Sequence, residues 1–342
     1  MILRRGYLTF ASDSGRRNDT LRAALTAVSH KQKLQQIYKP VLGGLKPGML
    51  EYDKRARSAR GFLLKYPLFT VSEVERAYIN RNREKLVNLQ QQRDRIKVPP
   101  MQEMKLLQIQ LVHQSSVIEG NRLKVGDSEI VYQLTKDGAE LNEMLPRLTT
   151  DLPTDELRAS VVDVRNHFRA LDYTMSQISV DKLSEQQIQE LHRMLFKDTP
   201  QEKAFYWGQL CQAGDYRLLT MRSYGYDTVF PGPLEVPFLM NRLIAWHHDR
   251  LLSLPDVIHC CQLFLKFLHI HPFMDGNGRI ARLLLTAALQ HHGYPPVVFY
   301  DSQKLVRNQY LDSIADAHEG QPGAFYDLVL RVLEDAYLAY SK

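Results

Sequence analysis

The stretch that decides both the fold and the site of this 342-residue chain is His271–Arg282, which reads HPFMDGNGRIAR. Pro272 cannot continue the apolar helix that precedes it. Gly276 and Gly278 allow a turn, after which leucines continue a helical pattern to Leu289. A glycine-rich turn that leads into a helix presents backbone N–H groups and the positive end of the helix dipole. The pattern therefore predicts two helices joined by an anion-binding turn.

The side chains of this stretch suggest a nucleotide site. Arg279 and Arg282 are three residues apart, so both lie on one face near the first helical turn. Two guanidinium groups suit a polyphosphate better than a single carboxylate. Asp275 offers an oxygen ligand for Mg²⁺ between phosphates, and the ordinary pKa of His271 suits proton abstraction near neutrality. A Gly-x-Gly turn alone is a weak signal, but this combination within twelve residues is specific.

This stretch is similar, at every fixed position, to the Fic family signature H-P-F-x-[DE]-G-N-G-R-x-x-R. A second stretch, Ser115–Asn121, reads SSVIEGN and is similar to the inhibitory-helix motif [ST]-x-x-x-E-[GN] of the same family. Further family-like segments are Gly214–Arg217 and Gly293–Pro296. The resemblance covers roughly residues 101–335. It implies an all-α Fic fold, a helical bundle with a short β-hairpin flap.

The resemblance implies a protein adenylyltransferase, which moves AMP from ATP onto a Ser, Thr or Tyr hydroxyl of a target protein. His271 would be the catalytic base, and Asp275 would hold Mg²⁺ between the α- and β-phosphates. The implied nucleotide-binding residues are Gly276, Asn277, Gly278, Arg279, Arg282 and His318. Of these, His318 stands where many relatives have Asn, so the nucleobase is left open.

The second motif implies autoinhibition. The inhibitory residues are Ser115, Glu119, Gly120 and Asn121, and Glu119 would pair with Arg282 and so remove the partner of the γ-phosphate. In some family members the same glutamate aligns a water that removes AMP, so de-AMPylation is also open. A turn-rich, β-favouring region at residues 208–237 predicts the hairpin. Its implied flap residues, which would dock the target, are Thr220, Met221, Arg222 and Ser223.

The chain divides by charge near Val98. Residues 1–100 carry 21 Lys/Arg against 8 Asp/Glu, while the remainder carries 23 against 30. We predict a basic, largely helical arm over residues 1–98, with helices at 18–38 and from a capping box at Ser72 through Leu89. The Fic domain would span 99–342, with the inhibitory helix at about 105–121 and the catalytic core at about 183–335. Without interleaved aromatic residues, the arm favours protein docking or a solvated face over nucleic acid.

Several classes of protein are disfavoured by the sequence. No apolar run is long enough to span a bilayer, and the N-terminus lacks the apolar core of a secretory signal. The cytoplasm or nucleus is expected, with an organellar transit peptide left open. Three cysteines make no disulfide framework, and the histidines lack zinc-site spacing. The expected partners are ATP and a target protein, with a homodimer left open. The alternatives are a non-catalytic nucleotide-sensing or adaptor protein on a Fic scaffold, and an enzyme that uses another donor such as UTP or CDP-choline.

Overall fold

The computed structural model of the chain describes residues 68–99, 103–206, 209–219, 221, 228, 230–233, 235–249, 254–299 and 304–340. This part contains twelve α-helices and one two-stranded antiparallel sheet. The prediction of an all-α fold with a short β-hairpin is confirmed. The helix predicted over residues 18–38 lies outside the described residues.

The elements are numbered in the order in which they follow one another along the chain. The helices are α1 (Glu73–Arg81), α2 (Arg83–Arg95), α3 (Lys105–Ile118), α4 (Val125–Lys136), α5 (Leu141–Met144), α6 (Thr154–Gln177), α7 (Glu185–Phe196), α8 (Val236–His248), α9 (Asp256–Ile270), α10 (Asn277–His291), α11 (Lys304–His318) and α12 (Gly323–Tyr340). Strands β1 (Lys203–Tyr206) and β2 (Gln209–Gln212) lie between α7 and α8. Single 3₁₀ turns occupy Leu145–Arg147, Val180–Lys182 and Pro200–Glu202.

The apolar core is built around α9 and α10, the helices on either side of the HPFMDGNGR turn. Every residue of α9 from Val257 to Ile270 is buried, and the buried run of α10 extends from Arg279 to Leu289. Helices α3 and α6 pack against each other and against α10. The predicted inhibitory helix therefore lies directly beside the helix that carries both motif arginines.

The predicted helix after Ser72 is present but interrupted. Ser72 and Glu75 form the predicted capping box at the start of α1. Asn82 then leaves the helical conformation, with φ −102° and ψ 16°, and its side-chain amide donates to the Tyr78 carbonyl. The single helix predicted through Leu89 is therefore two helices, α1 and α2.

Helices α1 and α2 pack against the rest of the molecule. Tyr78, Leu86 and Leu89 belong to the same apolar core as α9 and α10. The buried carboxylate of Glu75 accepts hydrogen bonds from Gln262 at 2.6 Å and from Tyr326 at 2.9 Å. The domain boundary predicted near residue 98 stays a prediction, although helices on both sides of it share one core.

The described β-hairpin begins before the range in which the sequence predicted one, and residues 220, 222–227, 229 and 234 of that range lie outside the described residues. Phe205 pairs with Leu210 and Ala204 pairs with Cys211, so the predicted range of 208–237 includes only β2. Residues 213–219 contain no strand. Gly214 turns the chain at φ 94°, and the next residues run to the buried Arg217. This segment therefore packs under the motif turn instead of pairing as a strand.

Among the described residues, none of the helices combines the length and the apolar content that crossing a membrane would require.

Candidate functional site

A left-handed residue, His271, ends α9 and begins the motif turn. His271 has φ 50° and ψ 61°, a conformation that residues other than glycine seldom adopt. Its N–H donates to the Phe267 carbonyl at 3.0 Å, and its carbonyl accepts from Arg217 Nε at 2.6 Å. The backbone N–H of Arg217 also donates to the Pro272 carbonyl at 2.8 Å. Arg217 therefore stabilises the unusual backbone on which the predicted base stands.

The imidazole of His271 is held in one orientation. It stacks on Phe230 with 4.1 Å between ring centroids, and one ring nitrogen hydrogen-bonds to the backbone of Leu268. Burial lowers the pKa of His271 to about 3, and the nearby Arg217 guanidinium adds to this effect. The ring is therefore neutral near physiological pH, with one nitrogen left to accept a proton.

Asn277 and Gly276 shape the inside of the turn. Both polar atoms of the Asn277 side chain face the backbone of Phe273: Oδ1 accepts from its N–H at 3.0 Å and Nδ2 donates to its carbonyl at 2.9 Å. Gly276 has φ 76°, and a Cβ at this position would lie 2.7 Å from the Phe196 ring. Glycine is required here for both reasons. In this structure the Asn277 side chain closes the turn, and its predicted contact with phosphate stays a prediction.

His192 of α7 packs against the turn and hydrogen-bonds to its backbone. Its Nδ1 accepts from the Gly214 N–H at 2.8 Å, so Nε2 carries the proton and donates to the Asp275 carbonyl at 3.2 Å. Its ring stacks on Phe273 at 4.1 Å between centroids. Burial lowers the pKa of His192 to about 3. A neutral histidine of fixed tautomer thus links the motif turn to the segment that follows β2.

Asp275 and Arg279 lie together at the start of α10. Arg279 donates to Asp163 of α6 and lies 3.5 Å from an Asp275 oxygen. Its guanidinium carbon is 5.0 Å from the centre of the Phe196 ring, and its Nε is buried with no hydrogen-bond partner among the described residues. Arg279 is thus oriented by two carboxylates and one aromatic face.

Arg282 is surrounded by α3. Its Nε donates to Ser115 Oγ at 2.7 Å, and Nη2 donates to the Ser115 carbonyl at 3.0 Å and to Glu119 Oε1 at 2.6 Å. Nη1 donates to the Tyr310 hydroxyl at 3.2 Å. The contact that the resemblance implied between Glu119 and Arg282 is present in the structure. The inhibitory role of this contact stays a prediction.

The carboxylate of Glu119 is charged in this position. Burial opposes its ionisation, but attraction to Arg282 and Arg279 outweighs burial and lowers the pKa of Glu119 below its usual range. A Cβ on Gly278 would lie 2.5 Å from Glu119 Oε1 and 3.1 Å from Arg282 Nη1. The absence of a side chain at Gly278 thus makes the space in which the carboxylate meets the arginine.

The residues after Glu119 turn the chain towards α6. Gly120 has φ 97°, a conformation suited to glycine. Asn121 then donates from Nδ2 to Asp163 Oδ2 at 2.9 Å and to the Ser160 carbonyl at 3.0 Å. All four predicted inhibitory residues therefore lie at one junction of α3, α6 and α10.

Other predicted site residues are less closely grouped. His318 lies with its ring 6.0 Å from Phe230 and 5.2 Å from His269, and its Nε2 is buried without a hydrogen-bond partner among the described residues. Its contact with a nucleobase stays a prediction. Of the four predicted flap residues, Met221 is described, half-buried and outside a strand, while Thr220, Arg222 and Ser223 lie outside the described residues.

Three residues of the site were missed by the sequence reasoning. His192 and Asp163 carry no local signal, because each is one polar residue on an amphipathic helix. Arg217 lies in a family-like segment, but that segment alone implies no role for it. The structure brings all three against the motif through contacts that span 54 to 116 residues of chain.

The carboxylate of Asp275 suits one Mg²⁺ that is shared with phosphates. Its Oδ1 accepts from the Gly276 N–H at 2.6 Å, and the side chain remains 53% exposed. No group of three or more His, Cys, Asp or Glu residues that could cage a metal exists in the part of the chain that the structure describes. Mg²⁺ commonly uses one or two carboxylates and completes its shell with water and phosphate oxygens, which fits this single ligand.

The buried histidines predict a pH dependence of stability. Burial lowers the pKa of His192 to about 3, of His269 to about 4 and of His271 to about 3, from an ordinary value of 6.5. The unfolded chain therefore binds protons below about pH 6.5 that the folded chain does not bind, so stability must fall as the pH is lowered. Urea unfolding should show a free energy of unfolding that decreases steadily from pH 7 to pH 5. His248→Ala, which removes an exposed histidine, should leave this slope unchanged, and a flat profile for the native sequence would contradict the expectation.

Comparison with known proteins identifies relatives of this site. Residues 182–289 match the Fic/DOC family. The chain is 28% identical over 236 residues to the protein adenylyltransferase Fic of Aedes aegypti, and 29% identical over 235 residues to that of Drosophila grimshawi. Each alignment covers 67% of this chain but 42% of the relative. The chain thus spans less than half of the length of these relatives.

Solved structures show the same fold. A segment of Fic-1 from C. elegans superimposes with a TM-score of 0.60 at 21% identity, covering 94% of this chain and 97% of the other. A Fic family protein from Desulfovibrio desulfuricans gives a TM-score of 0.53 at 22% identity, over 75% of this chain and 74% of the other. Both likenesses concern the fold.

Proposed function

We propose that this chain, whose residues 182–289 match the Fic/DOC family, is a protein adenylyltransferase, which transfers AMP from ATP to a hydroxyl group of a target protein. One observation carries the proposal: a single helix-turn-helix presents a neutral His271, an exposed Asp275 carboxylate and two buried arginines. The related adenylyltransferases named above support it. Nothing in the described structure favours the sensor or adaptor alternative.

In this reaction the target hydroxyl oxygen attacks the α-phosphorus of ATP. The bond between the α-phosphorus and its bridging oxygen breaks, and pyrophosphate leaves with that oxygen. His271 takes the hydroxyl proton on the ring nitrogen that does not face Leu268. Because negative phosphates next to the ring favour its protonated form, bound ATP should raise the pKa of His271 towards a value useful for a base.

The chain's other groups bind and orient the triphosphate. The backbone of residues 276–278 would hold the α-phosphate at the N-terminus of α10. Arg279 and Arg282 would hold the β- and γ-phosphates, which keeps the leaving pyrophosphate in line with the attack. When bound at Asp275, Mg²⁺ would neutralise phosphate charge.

The Glu119–Arg282 pair supports a self-inhibited resting state. Arg282 cannot serve the γ-phosphate while its Nη2 donates to Glu119 at 2.6 Å. The carboxylate occupies the space over Gly278 and would repel a phosphate there. Activation therefore requires that Glu119 leave Arg282, through a change of partner or of oligomeric state.

The reaction is tested by following two labels. The Glu119→Gly protein, with Mg²⁺ and ATP labelled on the α-phosphate, should attach radioactivity to itself or to proteins of a lysate. ATP labelled on the γ-phosphate should attach none, because that label leaves as pyrophosphate. Incorporation from γ-labelled ATP without incorporation from α-labelled ATP would indicate phosphate transfer and overturn the proposal. Competition by unlabelled UTP, GTP and CDP-choline identifies the donor.

A further inference from the structure

We propose that Asp163 is a positioning residue for Arg279, and that through Asn121 it ties the orientation of Arg279 to the inhibitory segment. The inhibitory segment, defined as residues 115–121, would then control both motif arginines. It controls Arg282 directly through Glu119 and Arg279 indirectly through Asn121 and Asp163. This inference rests on the proposed function, because it assigns Arg279 to the triphosphate.

The two oxygens of Asp163 have different partners. Oδ1 accepts from Arg279 Nη1, while Oδ2 accepts from Asn121 Nδ2 at 2.9 Å. Asp163 therefore joins the first motif arginine to a residue that stands two positions after Glu119. It lies on α6, outside the matched family segment of residues 182–289.

Asn121 is itself held at both ends of its amide. Nδ2 also donates to the Ser160 carbonyl at 3.0 Å, and Oδ1 accepts from the Leu123 N–H at 3.0 Å. Its backbone N–H donates to the Ser116 carbonyl at 3.0 Å. A movement of the inhibitory segment that takes Glu119 away from Arg282 must therefore also displace the Asn121 amide, which hydrogen-bonds to Asp163.

The surroundings of Arg279 indicate that Asp163 orients this arginine and does not compete with phosphate for it. Its side chain is 8% exposed, against 21% for that of Asp163, so if Asp163 lost its charge the buried guanidinium would keep only its longer contact with Asp275. Such a group is strongly disfavoured and reorients. The other nearby carboxylate, Asp275, is 3.5 Å away. Asp163 thus fixes Arg279 in the direction from which it faces the predicted Mg²⁺ and phosphate position.

The same cavity provides a matched control. Asp163, Arg279 and Asp275 line a cavity of about 700 Å³ together with Arg165 and Asp198. Arg165 is buried and donates to Asp198 at 2.8 Å. Asp198→Asn therefore removes a carboxylate from a second buried arginine of this cavity without touching Arg279.

The test compares steady-state kinetics of AMP transfer in the Glu119→Gly background. Asp163→Asn should raise the KM for ATP roughly tenfold, the size expected for one charge-assisted contact, with a smaller change in kcat. Asn121→Ala should raise the KM less, and the double variant should be no worse than Asp163→Asn alone, because both changes break one chain of contacts. Asp198→Asn should leave the KM unchanged.

Other outcomes overturn the proposal. A lower KM in Asp163→Asn would make Asp163 a competitor of phosphate, and an equal rise in Asp198→Asn would make the effect one of general folding. Additive effects of the Asn121 and Asp163 changes would remove the link to the inhibitory segment. If Glu119→Gly transfers no AMP, the proposed function fails. Calorimetry of MgATP binding then decides the role of Asp163: Asp163→Asn must raise the Kd, and an unchanged Kd contradicts the positioning role.

Discussion

Replacing His271 with alanine in the Glu119→Gly protein should lower AMP transfer by about two to four orders of magnitude, the range for loss of a general base. The ring is neutral, fixed by Phe230 and Leu268, and stands at the junction of α9 and α10. Alanine leaves no group there to take the hydroxyl proton. The rate of incorporation from α-labelled ATP, measured on gels at early times, checks this expectation.

Two further measurements separate lost chemistry from lost structure. His271→Ala should bind MgATP in calorimetry as well as its parent does, because His271 is not assigned to the phosphates. His248→Ala, which removes an exposed histidine at the end of α8, should keep the parent's rate. A His271→Ala protein that retains more than about a tenth of the rate would remove His271 from the role of base, since positioning alone would then account for the reaction.

The parts of the site that could be predicted from the sequence are those made by neighbouring residues. Pro272 after an apolar run and the glycines at 276 and 278 predict a turn between two helices, and α9 and α10 meet there. The capping box at Ser72 is likewise predicted from a three-residue spacing and is present. Such features depend on backbone geometry over a few residues, which the local sequence determines.

The contact between Glu119 and Arg282 came from the family resemblance, because no spacing rule joins residues 163 positions apart. The structure adds what neither motif contains. Asp163 orients Arg279, Arg217 holds the His271 carbonyl, and His192 supports Asp275. These are tertiary contacts, in which one polar residue of a distant segment meets the turn, and a single sequence holds no periodic signal for them.

The β-hairpin shows a different limit. Residues 208–237 are turn-rich and β-favouring in the sequence, but the two described strands lie at 203–206 and 209–212, so only β2 falls within that range. Most of residues 220–229 lies outside the described residues, so the predicted flap stays a prediction. Composition indicates a β-favouring region without determining where the strands begin and end, because β propensity largely reflects packing context.

Replacing Glu119 with glycine should raise the rate of AMP transfer roughly 10- to 100-fold over the native sequence. A charge-assisted hydrogen bond contributes about 1.5–3 kcal/mol, and each 1.4 kcal/mol changes a population tenfold. Loss of the carboxylate frees Arg282 Nη2 for the γ-phosphate and clears the space over Gly278. Glu119→Gln, which keeps the shape but not the charge, should activate less than glycine and more than the native residue. Incorporation from α-labelled ATP at equal protein concentration measures all three.

A second glutamate–arginine pair serves as the control for this activation. Glu156 accepts from Arg122 at 2.8 Å in an exposed position. Exposed pairs of this kind contribute little, so Glu156→Gln should leave the rate of transfer unchanged. Equal rates for the native, Glu119→Gly and Glu156→Gln proteins would mean that the Glu119–Arg282 contact does not limit the reaction. In that case the His271→Ala variant decides on the same gels. A loss of labelling would indicate an active site that Glu119 does not restrain, and unchanged labelling would indicate an inactive site.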